Sequence, residues 1–168
     1  GRTASEAEAE AGLRKVIAKA KGRVAISCFS SNVARIQSII RAAQANDRSV
    51  AVVGRAIRRA ISAAQEVGYL RDLPDFVAED DIELLPRENI VILCTGTQGE
   101  PRAAMAKIAA GTHESVTLDP GDTVVFSSRQ IPGNEPAIAR VQDGLIRRKI
   151  ILITDCLLYT SPSPRDEL

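Results

Sequence analysis

Tryptophan is absent from this 168-residue chain, histidine occurs once, and aromatic residues make up only 3%. Each shortage removes a class of function. Sites that stack bases or sugars need aromatic platforms, which this chain can scarcely provide. His113 alone cannot build a multi-histidine metal site or a pair of catalytic imidazoles. No apolar run approaches the roughly 18 residues needed to span a bilayer, so no membrane partner is expected. The three cysteines, Cys28, Cys94 and Cys156, form neither a C-x-x-C pair nor an even disulfide framework, which points to a reducing, cytoplasmic setting. Cys28 and Cys94 end apolar runs and read as small buried hydrophobes. The opening Gly1-Arg2-Thr3-Ala4-Ser5-Glu6 has an acidic residue where a signal peptide would carry apolar ones, so secretion is not expected. An excess of one charge is also missing, with 22 Lys and Arg against 21 Asp and Glu. Any basic site must therefore be local.

What is present is ordinary globular material: 45% hydrophobic and 26% charged residues, in a length that suits one domain. Ser5-x-x-Glu8 reads as a capping box for a first helix running to Lys21, with Leu13, Val16, Ile17 and Ala20 at helical spacing and Gly22 ending it. Residues 23–28 follow as an apolar run without alternation, the mark of a strand covered on both faces. Ser30-Ser31-Asn32 then caps a helix whose inner face is Val33, Ile36, Ile39, Ile40 and Ala43. The alternation continues with strands over 49–53, 89–94, 123–127 and 150–153 and helices over 55–67 and 135–148. A short helix is expected near 80–84, and another after Thr95–Glu100 with Pro101 in its first turn. Strands alternating with helices predict a doubly wound α/β fold, a mostly parallel sheet with helices on both faces, over residues 1–155. Residues 156–168 shift abruptly to Ser and Pro without periodicity. They read as a non-family tail, artefactual or disordered, and their terminal Arg-Asp-Glu-Leu has little support as a retention signal.

Ligands of open parallel sheets sit beyond the carboxyl ends of the strands. Four polar segments fall there: Ser30, Ser31 and Asn32; Gly54 and Arg55; Thr95 with Gly96, Thr97, Gln98, Gly99 and Glu100; and Ser127, Ser128 and Arg129 with residues 130–135. Three lead into helix starts, whose free amides and positive dipole ends favour phosphate, and Arg55 and Arg129 add charge. The ordinary reading of such segments is caps and turns. The glycine segment matches neither the G-x-x-x-x-G-K-[ST] nor the G-x-G-x-x-G fingerprint. Glu100 would repel phosphate, and suits helix-end stabilisation or holding the loop through backbone donors. The acidic run Glu79-Asp80-Asp81-x-Glu83 lacks calcium-loop spacing and reads as a solvated helix start, while His113 reads as a surface histidine.

In order along the chain come Phe29-Ser30-Ser31-Asn32-Val33-Ala34-Arg35-Ile36-Gln37, Val52-Val53-Gly54-Arg55, Thr95-Gly96-Thr97-Gln98-Gly99-Glu100-Pro101, Pro120-Gly121-Asp122-Thr123-Val124 and Ile131-Pro132-Gly133-Asn134-Glu135. This succession resembles the beta-CASP domain of bacterial ribonuclease J, over roughly residues 5–155. The resemblance implies a domain inserted into a metallo-β-lactamase-fold ribonuclease that acts as both endonuclease and 5′-to-3′ exonuclease. It implies single-stranded RNA as a partner, the missing metallo-β-lactamase domain as another, and a possible homo-oligomer in the parent. It implies zinc for the parent, held by a His-x-His-x-Asp-His motif that this chain lacks. The chain also does not reach the family's later His-x-Ser-Gly-His segment. By this reading it carries no catalytic residue and no cofactor of its own, and is inactive alone. Thr97, Arg102 and Ala56 depart from the family's more usual Ser, Met and Ser. The rival readings are a free-standing α/β nucleotide- or anion-binding module, and a scaffold domain whose polar loops touch only a neighbouring domain.

Overall fold

Apolar runs with β-branched residues make five short strands: β1 (Val24–Ser27), β2 (Ser49–Val52), β3 (Ile90–Cys94), β4 (Thr123–Phe126) and β5 (Ile151–Thr154). The computed structural model describes residues 3–154, so the reading of residues 156–168 as a tail lies outside the described residues. The strands form one sheet in the order β2-β3-β1-β4-β5, parallel throughout, with Ile26 opposite Leu93 on one side and Val125 on the other. The expected α/β architecture is therefore observed.

Every residue of β1, β3 and β4 is buried, because helices cover both faces. Side chains alternate between two cores. Val24, Ile26, Val50, Val52, Val91, Leu93 and Val125 pack under α1 (Ala4–Lys19), α2 (Val33–Ala45) and α3 (Arg55–Glu66). Ala25, Ala51, Ile90, Ile92, Val124 and Phe126 pack under α4 (Ala104–Ala110) and α5 (Glu135–Arg147). Fully burying an isoleucine such as Ile26, Ile36 or Ile92 contributes about 1.5–3 kcal/mol, so each face alone holds ample driving force. The connector after α3 covers one edge of the sheet: the Val77 amide donates to the Val50 carbonyl at 2.8 Å before a 3-10 turn, Glu79–Leu84, buries Ile82 on the second face.

Two helix starts differ from the sequence reading. The cap of α1 is Thr3, whose hydroxyl accepts from the Glu6 amide at 3.1 Å, and not the Ser5-x-x-Glu8 box. Thr3-x-x-Glu6 fits the same pattern one half-turn earlier, and Glu6, Ala9, Glu10, Leu13 and Ile17 form the inward face of the helix it opens. Pro101 does not open a helix: residues 101–103 form a turn, and α4 begins at Ala104.

Arginines close the amino ends of the strands. Arg48, 5% exposed, donates to the carbonyls of Gly22 at 2.7 Å, Ala20 at 2.9 Å, Ile90 at 3.0 Å and Arg87 at 3.4 Å. Asp122 accepts from the Arg23 amide at 2.9 Å, the Asp119 amide at 2.7 Å and the Arg87 guanidinium, joining the starts of β1 and β4.

His113 is half-buried rather than a surface group, and its Nδ1 accepts the amides of Ser115 at 3.0 Å and Val116 at 3.2 Å. Burial holds its pKa below the ordinary 6.5, outweighing the pull of Glu79. Because the folded pKa is depressed, the proton favours the unfolded chain. Its stabilisation is present above about pH 6.5 and is lost as pH falls below that value. Melting temperature should thus fall between pH 7 and 5.5 by more in the wild type than in His113→Asn. Equal slopes would rule the contribution out.

Candidate functional site

The parallel strands end on one edge, and their polar loops emerge there side by side. From β1 the chain passes to α2 on the first face, whereas from β3 and β4, on either side of β1, it passes to α4 and α5 on the second. Such a divergence opens a crevice at the strand ends. Ser30 and Asn32 are half-buried beside it and Ser31 is exposed, with the Asn32 carboxamide capping α2 through the Arg35 amide at 3.0 Å. Arg55 is exposed at the start of α3, but β2 is the edge strand, so it stands at the end of the row beyond the β3 loop.

The β3 and β4 loops are joined by one side chain. Gln98, 6% exposed, donates from Nε2 to the Arg129 carbonyl at 2.9 Å and to the Thr97 hydroxyl at 3.1 Å. Its Oε1 accepts the Ile131 amide at 2.9 Å and Asn134 Nδ2 at 3.2 Å. Its own amide donates to Glu100 Oε1 at 2.9 Å, so Glu100 folds back to hold the loop. Gln98 therefore acts as a clamp whose hydrogen-bonding capacity is spent inside the protein. Gln98→Ala should cost about 1–3 kcal/mol, since the loop amides it satisfies lose their acceptor. A chemical-denaturation curve reads this directly, and an unchanged midpoint would refute the clamp.

Ser127 and Ser128 divide their work. Ser127 is buried and donates from its hydroxyl to the Ser27 carbonyl at 2.7 Å, extending the β4–β1 ladder. The Ser128 hydroxyl is buried and has no partner among the described residues. The amides of Gly96, Thr97 and Ser128 likewise donate to no described residue. Arg129 is exposed next to them. Unpaired donors of this kind, with a cationic side chain nearby, suit an anion, and the Glu100 carboxylate in the same loop is occupied by the Gln98 amide.

The ribonuclease J beta-CASP domain family matches residues 21–145. The chain belongs to this family. Ribonuclease J of Sinorhizobium meliloti is 46% identical over 167 residues, covering 98% of this chain and 30% of that protein. The Mycolicibacterium smegmatis protein of the same name is 42% identical over 156 residues, 92% of this chain and 28% of its own length. That of Thermus thermophilus is 40% identical over 145 residues, 86% and 25%. The chain thus spans under a third of the curated relatives it matches.

Zinc does not fit the described residues of this beta-CASP domain. Among the described residues no three His, Cys, Asp or Glu side chains cluster as ligands. The Nδ1 of His113 is committed to two amides. Cys28 and Cys94 belong to opposite cores, and burial pushes the Cys28 thiol up to about 12 and that of Cys94 higher still, so neither offers a thiolate. No described helix is long and apolar enough to cross a membrane.

Sequence reasoning missed Arg35 and Glu6, which are buried and paired at 3.0 Å, with Arg35 also donating to the Ser127 carbonyl. The available signal was an arginine three residues after the Asn32 cap, next to Ile36 and one turn before Ile39 on a helix face meant for the core.

Proposed function

We propose that this domain is the RNA-binding lid of a ribonuclease J type hydrolase, holding the phosphates of single-stranded RNA with its strand-end loops. The observation that carries the reading is the group of unpaired donors at Gly96, Thr97 and Ser128, in loops locked together by Gln98. Rigid placement matters because donors already aimed cost no ordering on binding. Ser30, Ser31, Arg55 and Arg129 flank these donors as further contacts, while Asn32, Thr97, Gln98, Gly99, Glu100 and Ser127 support the loops. Hydrolysis, with its zinc, belongs to the remainder of a cytoplasmic parent, as does any assembly into oligomers.

The test incubates the purified chain with a 5′-monophosphorylated single-stranded RNA, with and without zinc. Weak binding that falls steeply with salt, and no cleavage in either condition, is the expected result. Ser128→Ala and Arg129→Gln should each weaken retention, the latter with a shallower salt slope. Absence of binding even at low salt would favour the scaffold reading, for which exposed Ile131 and Pro132 would be the docking residues. Zinc-dependent cleavage reversed by chelator would overturn the non-catalytic assignment.

A further inference from the structure

We propose that Arg35, held by Glu6, is a positioning residue that fixes the first peptide of the β4 loop and so determines how Ser128 presents its donors. The inference rests on the anion-binding reading above. Arg35 lies in the first turn of α2 and is 5% exposed, while Glu6 on α1 is 8% exposed. Arg35 Nε donates to the Glu6 carboxylate at 3.0 Å, and Nη1 donates to the Ser127 carbonyl. Ser127 is anchored separately on β1, its amide and hydroxyl reaching the Ser27 carbonyl at 3.0 and 2.7 Å. On the far side of Ser128, Gln98 holds the Arg129 carbonyl at 2.9 Å. Ser128 is thus suspended between two tethers, its hydroxyl buried and unpartnered among the described residues.

Peptide geometry makes the first tether consequential. In a planar trans unit the C=O and the following N–H point in opposite directions, so holding the Ser127 carbonyl toward α2 turns the Ser128 N–H away from it. A charged donor makes a stronger bond to a carbonyl than a neutral one, and Glu6 fixes the plane of the guanidinium. Replacing a buried ion pair by an apolar pair of equal volume is often neutral for stability. What the ion pair supplies is direction.

The experiment titrates the isotope-labelled full chain with inorganic phosphate and with a 5′-monophosphorylated RNA oligonucleotide. Compared with the wild type are Arg35→Gln, Arg35→Lys, Glu6→Gln, Ser128→Ala and the Arg35→Gln/Ser128→Ala pair. In the wild type the Ser128 amide resonance should move on titration. Arg35→Gln should shift that resonance in the free protein and weaken RNA binding about tenfold. Ser128→Ala removes the hydroxyl and keeps the backbone amide, so Arg35→Gln should still weaken RNA binding in the double variant, because the amide that Arg35 orients is retained. If Arg35→Gln does not fold, Arg35→Lys and Glu6→Gln carry the test, each retaining fold while losing affinity. A wild type that binds while folded Arg35→Lys and Glu6→Gln bind equally well would overturn the positioning role, as would a folded Arg35→Gln that binds weakly with its free Ser128 amide resonance unmoved. No response at Ser128 and no RNA binding by the wild type would instead bring down the anion-site reading, and this inference with it.

Discussion

Arg48→Met is expected to destabilise the domain by about 3–5 kcal/mol, a shift of roughly 10 °C or more in melting temperature for a chain of this size. The side chain sits just before β2, where nothing in the local pattern marks it as special. Its guanidinium reaches carbonyls from four places: Ala20 and Gly22 after α1, Arg87 in the turn before β3, and Ile90 at the start of β3. Methionine fills similar volume but donates nothing, so these carbonyls lose a charged donor where water cannot readily replace it. Burial also pulls the Arg48 pKa below its usual value, though Glu88 and Asp122 oppose this and a group of that type remains charged. Urea denaturation of the wild type, Arg48→Met and Arg48→Lys decides the matter. A loss under about 1 kcal/mol in Arg48→Met would mean the carbonyls find other partners.

Gly99→Ala is expected to cost about 2–4 kcal/mol and to abolish ordered packing of the β3 loop on α5. Two penalties combine there. Gly99 has φ of +75°, where a side chain is strained, and an added Cβ would lie 2.4 Å from the Ala137 carbonyl carbon and 2.6 Å from the Ile138 amide nitrogen. Both are backbone atoms in the first turn of α5, so no rotamer change relieves the clash. Gly133 provides the internal comparison: its φ is +100°, but nothing lies within 4 Å of its added Cβ. Gly133→Ala should therefore show the strain alone, about 1–2 kcal/mol. Equal losses in the two variants would refute the close approach of loop and helix.

The fold was legible because the strands are unbroken apolar runs. Val24–Ser27 and Ile90–Cys94 carry no alternation, which only a sheet covered on both faces explains. Asn32 as a cap was legible for the same local reason: a short side chain just before a helical pattern. Thr3 was missed because two overlapping S/T-x-x-E patterns compete, and both leave Leu13 and Ile17 on the same face, so the apolar spacing does not choose between them. Pro101 misled because proline suits a first helical turn, while Gly99 and Glu100 spend those residues on a turn against Gln98 instead. At the site, the segments were legible and the division of labour within them was not. The partners of Gln98 at residues 129, 131 and 134 belong to another loop, and a four-way clamp leaves no local pattern. The same holds for Arg35 and Arg48, whose partners are backbone carbonyls that any sequence could provide.

The strand order has a consequence for how the chain comes into being. β1 is the middle of the sheet yet the first of its five strands to be made, and its neighbours lie far downstream: Val24 pairs with Val91 and with Thr123. At a synthesis rate of about 5–20 residues per second, β1 waits several seconds for β3 and longer for β4. During that interval Val24, Ala25 and Ile26 have no strand to pair with. On the face of Val24 and Ile26 the first helices available are α1 and α2, which makes this early pair, joined by Glu6 and Arg35, the natural guard of that side of the nascent strand.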